Sequence, residues 1–329
     1  MRRLMLALVP LAALVAAGCG GASDSSSDAT AAKPAGGGTQ TLSLVAYSTP
    51  QVVYDEVIPA FQKTAAGNGV AFKTSYGPSG DQSRAVESGL PADVVTFSLE
   101  PDLDRLIKSG QVAKTAADRW VTTSVVTFIV RKGNPKHIRT WDDLLKPGVQ
   151  VVTPNPFTSG AAKWNLLAAY GAKGLGYVRT LLTQHVKVQP KSGREALQTF
   201  TEGQGDVLLS YENEAITAQK KGQDVDYVIP DQTIKIENPI AVTSKAPAAA
   251  KAFLDYALSK PAQRVFASWG YRPVDPSVLA ANTSKFPTPS GLFTIAKVGG
   301  WSKVNDQLFD PDKGSVAKIE EQAGVSTAK

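Results

Sequence analysis

Asn155-Pro156-Phe157-Thr158-Ser159-Gly160-Ala161-Ala162-Lys163-Trp164 is the stretch on which the reading of this chain turns. Before it, residues 149–153 form a short apolar run in strand register; after it, residues 164–170 have the spacing of a helix. Pro154 and Pro156 stop the strand, and Thr158 or Ser159 suits the helix N-cap. Gly160 and Ala161 then allow close approach to the N–H groups of the first turn. Those donors have no partner within the helix and sit at the positive end of its dipole. They form an anion site that needs no cationic side chain. The stretch therefore points to a small bound oxyanion.

Working outward, residues 42–47 read as a strand and 51–66 as a helix. Strands at 70–76 and 92–97 follow, with a helix at 100–109. This β-α-β-α-β rhythm predicts an α/β fold with mainly parallel sheets flanked by helices. Further on, strands are expected at 125–131, 186–188, 206–210, 226–229 and 238–243. Helices are expected at 141–145, from the cap at 158–159 to about 172, at 177–184, from 192 to about 202, and from 211. The chain from 247 to 269 and beyond reads as mainly helical. Strand-to-helix turns at 48–50, 77–80, 158–161 and 192–194 each carry a serine, and the last three carry Ser-Gly. In open α/β sheets ligands collect at such turns, beyond the carboxyl ends of strands.

The 329 residues suffice for two lobes, and 43% hydrophobic with 19% charged residues suits a globular body. Residues 1–18 read as a signal peptide: Arg2 and Arg3 precede an apolar core at 4–17. It ends in Ala16-Ala17-Gly18-Cys19, which resembles a bacterial lipobox, with Cys19 as the lipidated residue and the only cysteine in the chain. Residues 19–40, rich in Gly, Ser and Ala, read as a flexible tether. Loss of Arg2 and Arg3 takes the formal charge from +6 to about +4, too mild a balance to imply nucleic acid.

No phosphate-cradling Gly-x-x-x-x-Gly-Lys-Ser/Thr stretch occurs, and no Gly-x-Ser-x-Gly elbow. His137 and His185 read as surface residues and supply too few ligands for a metal. Glu212 and Glu214 stand at i and i+2 in a first helical turn, where acids complement the dipole and face different ways. Trp120, Trp141, Trp164, Trp269 and Trp301 are scattered and read mostly as core or interface. The expectation is a binding protein without cofactor, metal or catalytic residue.

Four segments together carry a resemblance: Tyr76-Gly77-Pro78-Ser79-Gly80, Val130-Arg131-Lys132-Gly133-Asn134-Pro135-Lys136, the central stretch, and Gly205-Asp206-Val207-Leu208-Leu209-Ser210-Tyr211-Glu212-Asn213-Glu214-Ala215. From about residue 42 to about 301 the chain resembles the sulfate/thiosulfate-binding proteins of ABC importers, in the two-lobed type II periplasmic-binding-protein superfamily. That family grips a dianion with neutral donors: amides at helix starts, a serine hydroxyl and an indole N–H. The resemblance implies that Ser79 gives an amide, Ser159 its hydroxyl, and Gly160 and Ala161 their amides. The turn at Gly193-Arg194 gives another amide. Ser48 falls where the family has an aspartate whose backbone faces the ligand, and Tyr211 where it usually has tryptophan. Phe157 and Lys163 replace a usual lysine and arginine, and Asp81 stands where lysine is common.

The resemblance also implies lobes at about 41–124 plus 237–310 and at 125–236, crossing near Ser124 and Glu237, with a tail at 311–329. A ligand bridges the lobes in the inter-lobe cleft and closes the hinge. The expected partners are sulfate or thiosulfate, an ABC permease with separate ATPase subunits, and the outer face of the cytoplasmic membrane through lipid on Cys19. A monomer is expected. Molybdate or phosphate as the ligand, a sensory role, and an extracellular ester hydrolase are the alternatives.

Overall fold

The structure, a computed structural model, describes residues 40–116 and 119–327. The signal peptide, Cys19 and all but the last residue of the tether lie outside the described residues. The chain opens with β1 (Gln40–Tyr47), α1 (Gln51–Gln62), β2 (Val70–Gly77), α2 (Ser79–Glu87), β3 (Val94–Thr96) and α3 (Glu100–Lys108). A strand of 12 residues, β4 (Trp120–Arg131), leads into β5 (Val151–Val152), α4 (Gly160–Lys173), α5 (Leu175–Thr180), a π-helical turn (Leu181–His185) and β6 (Val186–Val188). Then come α6 (Gly193–Thr201), β7 (Val207–Tyr211), α7 (Glu212–Lys220), β8 (Val225–Val228) and the long β9 (Gln232–Val242). The chain closes with α8 (Ala248–Ala257), α9 (Lys260–Ser268), β10 (Arg272–Pro273), α10 (Pro276–Ala280), β11 (Gly291–Phe293), α11 (Gly300–Gln307) and α12 (Ser315–Gln322).

The strands run in the order β2-β1-β3-β9-β4-β7-β5-β6. The outer pairs β1–β2, β1–β3, β5–β6 and β5–β7 are parallel, as strand–helix alternation requires. The two long strands run antiparallel to each other, β9 also to β3 and β4 also to β7, while short β11 pairs parallel with β9. The first half of β4 pairs with β9, and its second half, from Val126, pairs with β7. Ser124 stands opposite Ile236 and Thr123 opposite Glu237, so both expected crossing points fall on this shared ladder.

The buried apolar residues form several clusters, the largest of which reaches from the second lobe to Tyr47 and Leu99 of the first. On β1, Leu42, Leu44 and Ala46 pack with Tyr54, Phe253 and Phe266, while Val45 faces a second cluster with Phe97 and Leu106. Burial on both faces is the condition of a covered parallel strand. In the second lobe Phe128, Trp141, Trp164 and Val207 form the largest cluster. Phe293, Trp301, Val304, Leu308, Val316 and Ile319 join that same cluster. The packing of residues 291–322 is therefore with the second lobe, whereas the sequence reading set the chain up to 310 with the first. An amphipathic helix announces an apolar face but not the sheet that receives it.

The last helix is also tied down by polar contacts. Gln189 Nε2 donates to Glu320 Oε2 (2.8 Å), and Asn155 Nδ2 donates to the Ser326 carbonyl (3.0 Å). Glu320 is 0% exposed, and burial pushes its carboxyl from 4.5 up to about 7, against the Gln189 hydrogen bond. Neither Glu320 Oε1 nor Gln189 Oε1 has a partner, so a proton on the acid suits this pair. Between those two values the folded chain holds a proton that the unfolded chain has released. Stability therefore falls as pH rises from about 4.5 to about 7. Glu320→Gln removes that slope. Denaturant unfolding should find the variant more stable than the parent by about 3 kcal/mol at pH 8 and near parity at pH 4.5; identical pH profiles would contradict the assignment.

Candidate functional site

Helix starts from both lobes meet in a narrow cleft at the carboxyl ends of the strands. The first lobe lines it with Tyr47, Ser48 and Thr49 after β1, Pro78 and Ser79 at the start of α2, and Ser98 after β3. The second lobe brings Ser159, Gly160 and Ala161 at the start of α4 and Gly193 at the start of α6. No lysine, arginine, histidine, aspartate or glutamate is among these lining residues.

Each helix start leaves donors for a guest in a different way. In α2 the first turn closes with Gln82 N–H on the Pro78 carbonyl (2.9 Å), so the Ser79 and Gly80 amides precede the ladder. The Ser79 hydroxyl is already committed: it donates to Asp102 Oδ2 (2.6 Å) and accepts from Ser98 N–H (2.9 Å). In α6 the Ser192 hydroxyl caps its own helix through Glu195 N–H (3.1 Å), and the Gly193 amide remains. In α4 the N-cap is Ser159, buried, and its side chain makes no capping bond. Its hydroxyl and the Gly160 and Ala161 amides are all unspent by the helix.

The lobes touch directly around the cleft. Trp164 Nε1 donates to the Ser98 carbonyl (2.8 Å), and Arg194 Nη2 donates to the Thr49 carbonyl (2.8 Å). This closeness requires residues without side chains. A Cβ on Gly160 would come within 2.6 Å of Ser98 Oγ and 2.8 Å of Leu99 Cδ2. On Gly193 it would meet Thr49 Cγ2 at 3.3 Å.

The structure thus brings together Ser48, Ser79, Ser159, Gly160, Ala161 and Gly193, and leaves Arg194 and Tyr211 off the lining. The Arg194 guanidinium reaches sideways to the other lobe. Tyr211 is 0% exposed, with its Oη 2.6 Å from Ser98 Oγ. Ser98 escaped the sequence reading: a serine one residue past an apolar run carries no local signature.

Charged side chains adjoin this lining: Arg84, Asp102, Arg105 and Lys163 line a neighbouring pocket that shares Ser159 and Gly160 with it. Burial raises the Asp102 carboxyl, offset by the Ser79 hydroxyl and by Lys163, Arg105 and Arg84. Asp81 pairs with Arg84 and does not line the cleft. Glu212 is not a solvated dipole partner but is buried against Arg272, Nε to Oε2 at 2.6 Å. Glu214 is equally buried; burial raises its carboxyl above the usual range, with Arg194 and Lys221 opposing. His185 is buried rather than exposed, its Nδ1 3.1 Å from the Val149 carbonyl. Among the described residues no cluster of His, Cys, Asp and Glu offers a metal site, and no helix is long and apolar enough to cross a membrane.

Comparison with known proteins places this geometry. The family model described as bacterial extracellular solute-binding protein matches residues 42–272. The sulfate-binding protein of Synechococcus elongatus is 39% identical, over 96% of this chain and 95% of that protein. The thiosulfate-binding protein of Pseudomonas aeruginosa is 37% identical, over 83% of this chain and 93% of its own length. Among solved structures, the sulfate-binding protein SubI from Mycobacterium tuberculosis superposes with a TM-score of 0.80 at 51% identity, covering 82% of this chain and all of that one.

The fit of Gly160 against Ser98 generates a test that needs no ligand. In Gly160→Ala the added methyl meets Ser98 and the core residue Leu99 across the seam, and should hold the lobes further apart. Small-angle scattering should then give a larger radius of gyration than for the parent; an unchanged value would contradict the close approach.

Proposed function

This chain belongs to the bacterial extracellular solute-binding proteins, and we propose that within them it captures sulfate, or thiosulfate, and delivers it to an ABC permease with separate ATPase subunits. The observation that carries this reading is a cleft lined without charge yet supplied with donors from three helix starts. The proposed contacts are the amides of Ser79, Gly160, Ala161 and Gly193, the Ser159 hydroxyl, and the backbone at Ser48. The lobe division at about 124 and 237 makes β4 and β9 the hinge strands on which closure turns.

Hydrogen-bond accounting favours sulfate over phosphate. Near neutral pH phosphate keeps a proton, and where the amides and hydroxyls of the lining all donate to the anion that proton finds no acceptor, at a cost of about 1–3 kcal/mol. Sulfate carries none and meets every donor. Oriented N–H dipoles in a dry site are stronger than in water, so a dianion is held without a counter-charge in contact. Molybdate satisfies the same accounting and differs in size. An ester hydrolase would need an activated nucleophile, and the Ser79 hydroxyl is instead locked between Asp102 and the Ser98 amide.

The lipobox-like Ala16-Ala17-Gly18-Cys19 supports anchoring by lipid on Cys19 at the outer face of the cytoplasmic membrane, the folded body working as a monomer on its tether. Titration calorimetry of the purified protein should show one sulfate per chain. Ser159→Ala should weaken binding about tenfold or more, the worth of a hydrogen bond to an ion, with unfolding temperature little changed. Sulfate affinity equal to the parent's would remove Ser159 from the site.

A further inference from the structure

Ser98 holds a junction of the fold with every group it has except one proton. Its carbonyl accepts from Trp164 Nε1 (2.8 Å) and Asn238 Nδ2 (3.0 Å), and its N–H donates to Ser79 Oγ (2.9 Å). Its Oγ lies 2.6 Å from Tyr211 Oη. Two hydroxyls in one hydrogen bond own two protons and use one, so the direction of that bond decides which proton is left over. Ser98 lines the cleft, with Oγ against the first turn of α4, and Tyr211 does not. Were Ser98 the donor, the Tyr211 proton would be left inside the protein, because among the described residues Ser98 Oγ is the one hydrogen-bond partner its Oη has. Leaving a buried donor unpaired disfavours that arrangement about tenfold or more. With Tyr211 as donor, the Ser98 proton faces the cleft and nothing is orphaned.

Resting on the oxyanion reading above, we propose that Ser98 is a ligand-binding hydroxyl of this cleft. Tyr211 behind it is a positioning residue that fixes Ser98 as donor, so that the pair selects fully deprotonated oxyanions. An indole N–H can only donate. A phenol alone can donate or accept; a serine that already accepts from Tyr211 has its own proton left to give and one lone pair fewer to offer, which favours donation where Tyr211 stands in place of tryptophan. Burial pushes the Tyr211 hydroxyl well above its ordinary value, Tyr47, Asp102 and Glu214 push the same way and the Ser98 hydrogen bond opposes them, so it keeps its proton near neutral pH.

The test is calorimetry on the purified protein with sulfate, and displacement of sulfate by inorganic phosphate, for the parent, Ser98→Ala and Tyr211→Phe. Ser98→Ala keeps all the backbone bonds at this junction and should lose tenfold or more in sulfate affinity. Tyr211→Phe frees Ser98 to turn and accept the phosphate proton, so the ratio of sulfate to phosphate affinity should narrow about tenfold. A purely structural role for Tyr211 would weaken both anions alike, and that result overturns the proposal. So does a Ser98→Ala protein within twofold of the parent for sulfate, which decides the matter alone if Tyr211→Phe does not fold. A parent that binds no sulfate overturns instead the functional reading beneath it.

Discussion

The first N–H groups of a helix have no partner inside the helix, and this constraint organises the cleft. A fold normally silences those donors with a capping side chain or leaves them to water. Here three starts in two lobes point into one dry space, and the serines beside them are used unequally. Ser192 caps its own helix, Ser79 turns its hydroxyl away to Asp102, and Ser159 spends nothing. The difference separates structural serines from one that is free to bind, although all three sit in Ser-Gly pairs.

Holding the donors together falls to the long strands and to the absence of side chains. β4 and β9 belong to both lobes, so the lobes share a ladder and meet at a fixed seam. The seam closes because Gly160 and Gly193 bring no bulk, and because Trp164 and Arg194 each donate across it to a backbone carbonyl. Charge stands beside the uncharged lining: Asp102 with Lys163, Arg105 and Arg84 in the neighbouring pocket, and buried Glu214 with Arg194 and Lys221 opposing its burial.

Much of this was legible in the sequence. Apolar alternation and small-residue turns marked β1, β2 and the starts of α2 and α4 to within about two residues, since local chemistry decides them. The first half of β4 was missed because Thr122 and Ser124 are polar yet buried, satisfied by Asn238 and Asn213 far along the chain. The attachment of α11 and α12 to the second lobe depends on tertiary fit, which periodicity does not encode. Arg194 was placed at the ligand through its amide, but the observed contact is a side-chain tie to Thr49, and the adjacent Gly193 lines the cleft. Ser98 was invisible because its role arises from Tyr211, 113 positions away.

The central claim is that a dianion is held here by uncharged donors alone. Selenate, a tetrahedral analogue of sulfate, locates the ion by anomalous scattering in a crystal of the complex. The account predicts a selenium peak between the starts of α2, α4 and α6, its oxygens within hydrogen-bond distance of the Ser79, Gly160, Ala161 and Gly193 amides and the Ser159 and Ser98 hydroxyls. A peak seated against a lysine or arginine side chain, such as Arg84, Arg105 or Lys163, would contradict it.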